Sequence, residues 1–231
     1  MLNRFIPHMD VLPAAQKRLW PLLSGLDRLG FVLYGETAAA LRLGHRRSVD
    51  FDFFSDRPLE KERLVATCPV LQGLSVVQEE PNTLSVVWSS AEKAEGLVKL
   101  SFFGGIGFGR IGSPDQTSDG TMQVASAQDL LALKLGVIIN RVEAKDYKDI
   151  AALLRSGLPL LDALAGTAAL YPAGFNPFIT LNTLSWFEGG DLKTLPEADK
   201  RTILDAMEGI SYEAIESLQP APIRSRTLCG A

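Results

Sequence analysis

Cysteine is nearly absent from the 231 residues: Cys68 and Cys229 are far apart and lack metal-ligand spacing. That argues against a disulfide framework or a structural zinc site and predicts free thiols in a reducing compartment. No stretch approaches the roughly 18 apolar residues needed to cross a bilayer. The N-terminal "MLNRFIPHMD" loses its apolar character at Pro7, His8 and Asp10 before a signal-peptide core could form, so the cytoplasm is the expected location. A net charge of -4 gives no global basic field, and contact with a polyanion has to come from a local cluster such as "RLGHRR". There is no internal repeat and no low-complexity tract. The one glycine-rich segment, "FFGGIGFGRIGS", lacks a G-x-G-x-x-G between a strand and a helix, the context a dinucleotide site requires.

What remains is a chain with 46% hydrophobic and 22% charged residues, enough to build a sizeable core. Leu12, Ala15, Leu19, Leu22, Leu23, Leu26 and Leu29 recur at helical spacing and predict an amphipathic helix over 10–29, kinked or split at Pro21 and ending at Gly30. "FVLY" reads as a buried strand, "ETAAALRL" as a short helix stopped by Gly44, and "VDFDFF" as the next strand. "KERLVATC" is helical, "LSVVQEE" and "TLSVVWSS" flank "PN" as a hairpin, and "LVKLSFFGG" is a further strand. Helical patterns dominate afterwards, over 126–139, 144–155, 158–170, 178–187 and 196–209, and the tail "QPAPIRSRTLCGA" reads as poorly packed. The chain thus changes character near residue 125: a mixed α/β (α+β) domain over 1–125 is followed by a helical domain over 126–231.

Within "VDFDFF", side chains alternate faces, so Asp50 and Asp52 point one way while Phe51 and Phe53 point the other. Two carboxylates so close repel unless a cation sits between them. Mg²⁺, which takes one or two carboxylates together with phosphate oxygens, is the natural candidate. The competing reading pairs Asp50 with Arg46 or Arg47 and leaves Asp52 in solvent. Nearby, Gly35 ends a strand and Thr37 opens a helix, which exposes backbone N–H groups to a phosphate. His45, Arg46 and Arg47 could neutralise a polyphosphate.

The stretch "GETAAALRLGHRRSVDFDFF", Gly35 to Phe54, resembles the "GGTALALRLGHRRSVDFDFF" form common among nucleotidyltransferases of the AbiEii/AbiGii toxin family, departing from it at Glu36 and Ala39. A second likeness is "LLALKLGVIINRVEAKDYKDI", which supplies Lys134, Arg141, Lys145, Asp146 and Asp149 in the family's order. A third, looser one is "LNTLSWFEGGDLKTLPEADK". The resemblance implies a nucleotidyltransferase-like mixed-sheet domain and a helical C-terminal half that closes the nucleotide cleft. It also implies an NTP substrate, Mg²⁺ as cofactor, RNA such as tRNA as one possible acceptor, a cognate antitoxin and no membrane association. Asp50, Asp52, Lys134, Asp146 and Asp149 become the catalytic candidates, the first two as metal ligands. Gly35, Glu36, Thr37, Arg46, Arg47 and Arg141 become the nucleotide-binding ones.

Some positions keep two readings. Lys134 lies on a helix stripe with Leu130, Leu131, Val137 and Ile138, where either its ammonium reaches a triphosphate oxygen or its stem packs while the ammonium snorkels to water. Asp149 is either part of the polar network around the nucleotide or a surface pair with Lys145; Arg141 is a phosphate contact or a solvated helix end. The architecture usually draws a third carboxylate from the strand after the aspartate pair, and "LVKLSFF" places Ser101 there. Either Glu36 supplies the missing charge, or the site is degenerate and the protein is a nucleotide-binding or protein-interaction module.

Overall fold

The computed structural model describes residues 2–90 and 96–230. The chain forms two compact units, one running up to Ser126 and regaining the chain from Ser225 onward, the other spanning Ala127–Arg224. No helix among the described residues is long and apolar enough to cross a membrane.

The first unit is built on a mixed eight-stranded sheet among the described residues. Its strands are β1 (Arg4–Phe5), β2 (Val32–Tyr34), β3 (Asp50–Phe54), β4 (Ser75–Glu80), β5 (Thr83–Ser89), β6 (Leu97–Phe103), β7 (Asp115–Thr117) and β8 (Gln123–Val124). They lie in the order β1-β7-β8-β2-β3-β6-β5-β4. At the centre, β3 runs antiparallel to β2 and parallel to β6. The predicted hairpin is β4 with β5, and it extends the sheet beyond β6. The short β1, β7 and β8 fall in stretches where no strand was expected, because two or three residues carry no readable alternation.

The alternation in β3 sets the layers. Phe51 and Phe53 are fully buried, and the Phe53 ring stacks on Phe102 of β6 at 5.1 Å while Phe51 meets Trp20 at 6.1 Å. Removing either ring would cost about 3–5 kcal/mol, which fixes the register and sends Asp50 and Asp52 to the opposite face. The predicted 10–29 helix is broken up: α1 (Ala14–Leu19) continues as 3-10 turns at Trp20–Leu23 and Leu26–Leu29. Pro21 removes a backbone donor, and Gly25 at φ +96° turns the chain between the two turns. Helix α2 (Gly35–Leu43) follows β2 directly and ends at Gly44, whose left-handed conformation lets its N–H reach Ala40 O. Helix α3 is Lys61–Thr67.

The end of the tail, residues 225–230, is packed, contrary to the sequence expectation. Ser225 bridges to Arg110, whose buried guanidinium donates to Thr227 O at 2.9 Å and Gly112 O at 2.9 Å. Leu228 is fully buried, and Gly230 N donates to Gln123 Oε1 at 2.8 Å.

The second unit is helical: α4 (Ala127–Val137), α5 (Ala144–Arg155), α6 (Leu160–Leu170), α7 (Pro177–Leu184), α8 (Glu197–Met207) and α9 (Tyr212–Glu216). Helix α4 packs on α6 and α5, and α5 packs on α8. The α4–α6 approach needs Gly136, where a Cβ would sit 2.4 Å from the Tyr171 ring. Asn176 caps α7 by accepting from Phe178 N and Ile179 N, with Pro177 in the first turn.

Candidate active site

In the first unit, β3 sets Asp52 opposite Tyr34 of β2 and Ser101 of β6, with Asp50 opposite Lys99 of β6. Asp50 is exposed and Asp52 half-buried. Burial and the neighbouring Asp50 charge raise the Asp52 pKa above its ordinary 3.8, while Lys99 and a hydrogen bond from Ser101 pull it back. Ser101 in turn accepts from Ser85 Oγ of β5 at 3.2 Å, and both serines are buried. The position where a third carboxylate was sought therefore holds a hydroxyl donating to Asp52. Ser85 belongs to the site as well; the hairpin register that puts it beside Ser101 was its only signal.

Gly35 is required twice over. Its φ of +72° is disfavoured for other residues, and a Cβ there would lie 2.8 Å from Asp52 Oδ2. It keeps open the space beside the carboxylate at the start of α2, whose N-terminus has no side-chain cap. The Thr37 hydroxyl is engaged internally, bonding Ser48 Oγ at 2.7 Å and donating to the Asp50 carbonyl. For a phosphate, this leaves the main-chain N–H groups of the first turn rather than the Thr37 hydroxyl.

Glu36 does not complete a trio of carboxylates. Its Oε2 lies 3.1 Å from Arg46 Nη2, and no group of three or more His, Cys, Asp or Glu side chains that could hold a metal occurs among the described residues. Arg46 also donates to the Arg47 carbonyl at 3.2 Å, and Arg47 is exposed. The arginine is thus engaged with Glu36. Two anions on one face, one of them desolvated and repelled by the other, beside a space kept clear of any Cβ, suit a divalent cation that takes its remaining ligands from phosphate and water.

The second unit holds a separate charged cluster. Lys134 Nζ lies 2.6 Å from Asp146 Oδ1 and 2.7 Å from Asp149 Oδ2. Arg141 grips Asp146 with two bonds, Nε to Oδ2 at 2.9 Å and Nη2 to Oδ1 at 3.1 Å. Both aspartates are fully buried and Lys134 nearly so, whereas the Arg141 side chain is 44% exposed. Lys134 is therefore not snorkelling, and Asp149 is not a surface residue. Burial and the Asp146 charge push the neighbouring Tyr147 hydroxyl up to about 12; it donates to Thr183 O at 2.8 Å.

A mixed sheet whose central strand carries D-x-D beside a glycine-opened helix, followed by a helical half, defines a nucleotidyltransferase-like protein. Residues 22–215 match the family described as "Nucleotidyl transferase AbiEii toxin, Type IV TA system", and the chain belongs to that family. It is also 28% identical over 127 residues to "Uncharacterized protein aq_aa25" of Aquifex aeolicus (strain VF5), a match covering 54% of this chain and 58% of that protein's length.

Proposed function

We propose that the protein is a Mg²⁺-dependent nucleotidyltransferase that moves a nucleoside monophosphate from an NTP to a hydroxyl acceptor, with RNA such as tRNA as the acceptor. It would act as a toxin held in check by a cognate antitoxin. The observation that carries this reading is the convergence of Asp50 and Asp52 on one face next to Gly35 and the uncapped start of α2.

In this reading Asp50 and Asp52 hold Mg²⁺, which when bound neutralises charge on the substrate phosphates. Gly35 gives the phosphates access to the backbone N–H groups of residues 36 and 37, and Arg46 and Arg47 flank them. The acceptor oxygen forms a bond to the α-phosphorus, the bond to the bridging oxygen of the β-phosphate breaks, and pyrophosphate leaves. The hydroxyl proton passes to the aspartate pair. Rate enhancement comes from positioning and charge neutralisation. Within the helical unit, Lys134, Asp146 and Asp149 act as positioning residues that fix the direction of the Arg141 guanidinium.

The test is calorimetry with each of the four NTPs with and without Mg²⁺, followed by transfer of labelled NMP to RNA by the wild type and Asp52→Asn. Mg²⁺-linked binding and transfer lost in Asp52→Asn support the enzyme. The Ser101 hydroxyl in place of a third carboxylate favours a second reading, a nucleotide-binding or protein-interaction module. Metal-linked binding without transfer to any acceptor would select it.

A further inference from the structure

Lys99 lies on the same sheet face as the two aspartates, opposite Asp50, and is exposed. The order of strands gives this position meaning. Helix α2 starts from β2, on one side of β3, and Lys99 stands on β6, on the other side. A nucleotide whose phosphates rest on the α2 N-terminus directs its leaving pyrophosphate toward β2. Displacement at phosphorus requires the attacking and leaving oxygens to be roughly in line, so the acceptor hydroxyl has to arrive from the β6 side. Lys99 occupies that approach.

Opposite it on β3 stands Asp50, whereas on the β5 side its neighbours are neutral. Ser101 is buried and committed to Asp52, and the β5 residues level with Lys99 and Ser101 are Val87 and Ser85. An exposed ammonium beside an arriving hydroxyl suits an acceptor that carries its own anion close by. In a nucleic acid every terminal hydroxyl lies within one nucleotide of a phosphodiester, whereas a serine or a free sugar offers no such group.

We propose that Lys99 is an acceptor-binding residue that holds a backbone phosphate of a nucleic-acid acceptor on the β6 side of the aspartate pair. The inference rests on the nucleotidyltransferase reading above and specifies its acceptor side.

The full chain, Lys99→Gln and Lys99→Arg are compared in two binding measurements and one assay. Binding of a 5′-fluorescein-labelled single-stranded RNA with a free 3′-hydroxyl is followed by anisotropy across a KCl series; Mg²⁺-NTP binding is followed by calorimetry; and transfer is measured at varied RNA and varied NTP. Lys99→Gln is expected to weaken RNA binding by about fivefold and reduce the salt slope by about 0.7. It should raise the KM for RNA, leave Mg²⁺-NTP affinity unchanged, and be rescued by Lys99→Arg. If Lys99 served only as a countercharge to the aspartates, Lys99→Gln would tighten Mg²⁺-NTP binding and leave the RNA salt slope alone, which overturns the proposal. So does a wild type that fails to bind the RNA while still binding Mg²⁺-NTP, a result that leaves the proposed chemistry standing. Loss of Mg²⁺-linked nucleotide binding in the wild type would instead remove the nucleotidyltransferase reading.

Discussion

Asp52 is held where its charge is least welcome to the fold. Burial and Asp50 raise its proton affinity in the folded state, so the folded protein binds that proton more tightly than the unfolded chain does. The stabilisation from protonating Asp52 is complete below the unfolded value near 3.8 and disappears as pH rises through the raised folded value. At pH 7 the ionised carboxylate is a net burden until a cation arrives. Asp52→Asn is therefore expected to abolish transfer while raising the melting temperature in metal-free buffer at pH 7, by about 2 °C. The gain should shrink toward pH 3. Thermal melts at both pH values check this, and a lower melting temperature at pH 7 would mean that the Ser101 hydrogen bond to the carboxylate outweighs the repulsion. Gly35→Ala acts on the same atoms from the other side. It forces a Cβ to within 2.8 Å of Asp52 Oδ2 at a φ of +72°, at a cost of about 1–3 kcal/mol. Mg²⁺-linked nucleotide affinity should fall by about tenfold or more, a change calorimetry reads directly.

The aspartates and Gly35 were legible from sequence because a strand's period and a strand-to-helix junction are local rules. The partners were not. The turn after α2 brings Arg46 to Glu36. Ser85 becomes visible only when the β5–β6 register is known.

At the scale of elements, α4 and α5 are joined by charge as well as by apolar packing. Helix α5 coincides with the predicted 144–155 because its polar and apolar positions separate cleanly onto two faces. The burial of Asp146 and Asp149 does not follow from that pattern, since the cation that makes it tolerable comes from α4. Lys134→Ala takes the ammonium away from two fully buried carboxylates. A destabilisation of about 3–5 kcal/mol is expected, measured by urea unfolding at pH 7. Arg141→Ala should cost less because its side chain is half exposed. The short strands β1, β7 and β8 were missed for a related reason. Their stability lies in pairing with distant partners, such as Arg4 with Gln116 and Leu33 with Val124, rather than in their own composition.

For the molecule as a whole, the shift from mixed to helical character near residue 125 was visible in the hydrophobic period, but the return of the last residues to the first unit was not. A short and largely polar segment carries no periodic signal, and its value lies in what it covers. Leu228 fills a fully buried site, its N–H donates to Asp56 Oδ1 at 2.9 Å, and Thr227 O satisfies the buried Arg110 guanidinium. The tail thus closes a polar and apolar network inside the sheet-bearing unit. Leu228→Ala is expected to destabilise that unit by about 2–4 kcal/mol through the cavity it leaves. Arg226→Ala, at an exposed neighbouring position, should stay within about 0.5 kcal/mol. Urea midpoints of the two variants compare them under identical conditions. Equal midpoints would show that the tail lies on the unit without supporting it, whereas a selective loss in Leu228→Ala makes residues 225–230 part of the scaffold that holds the aspartate strand.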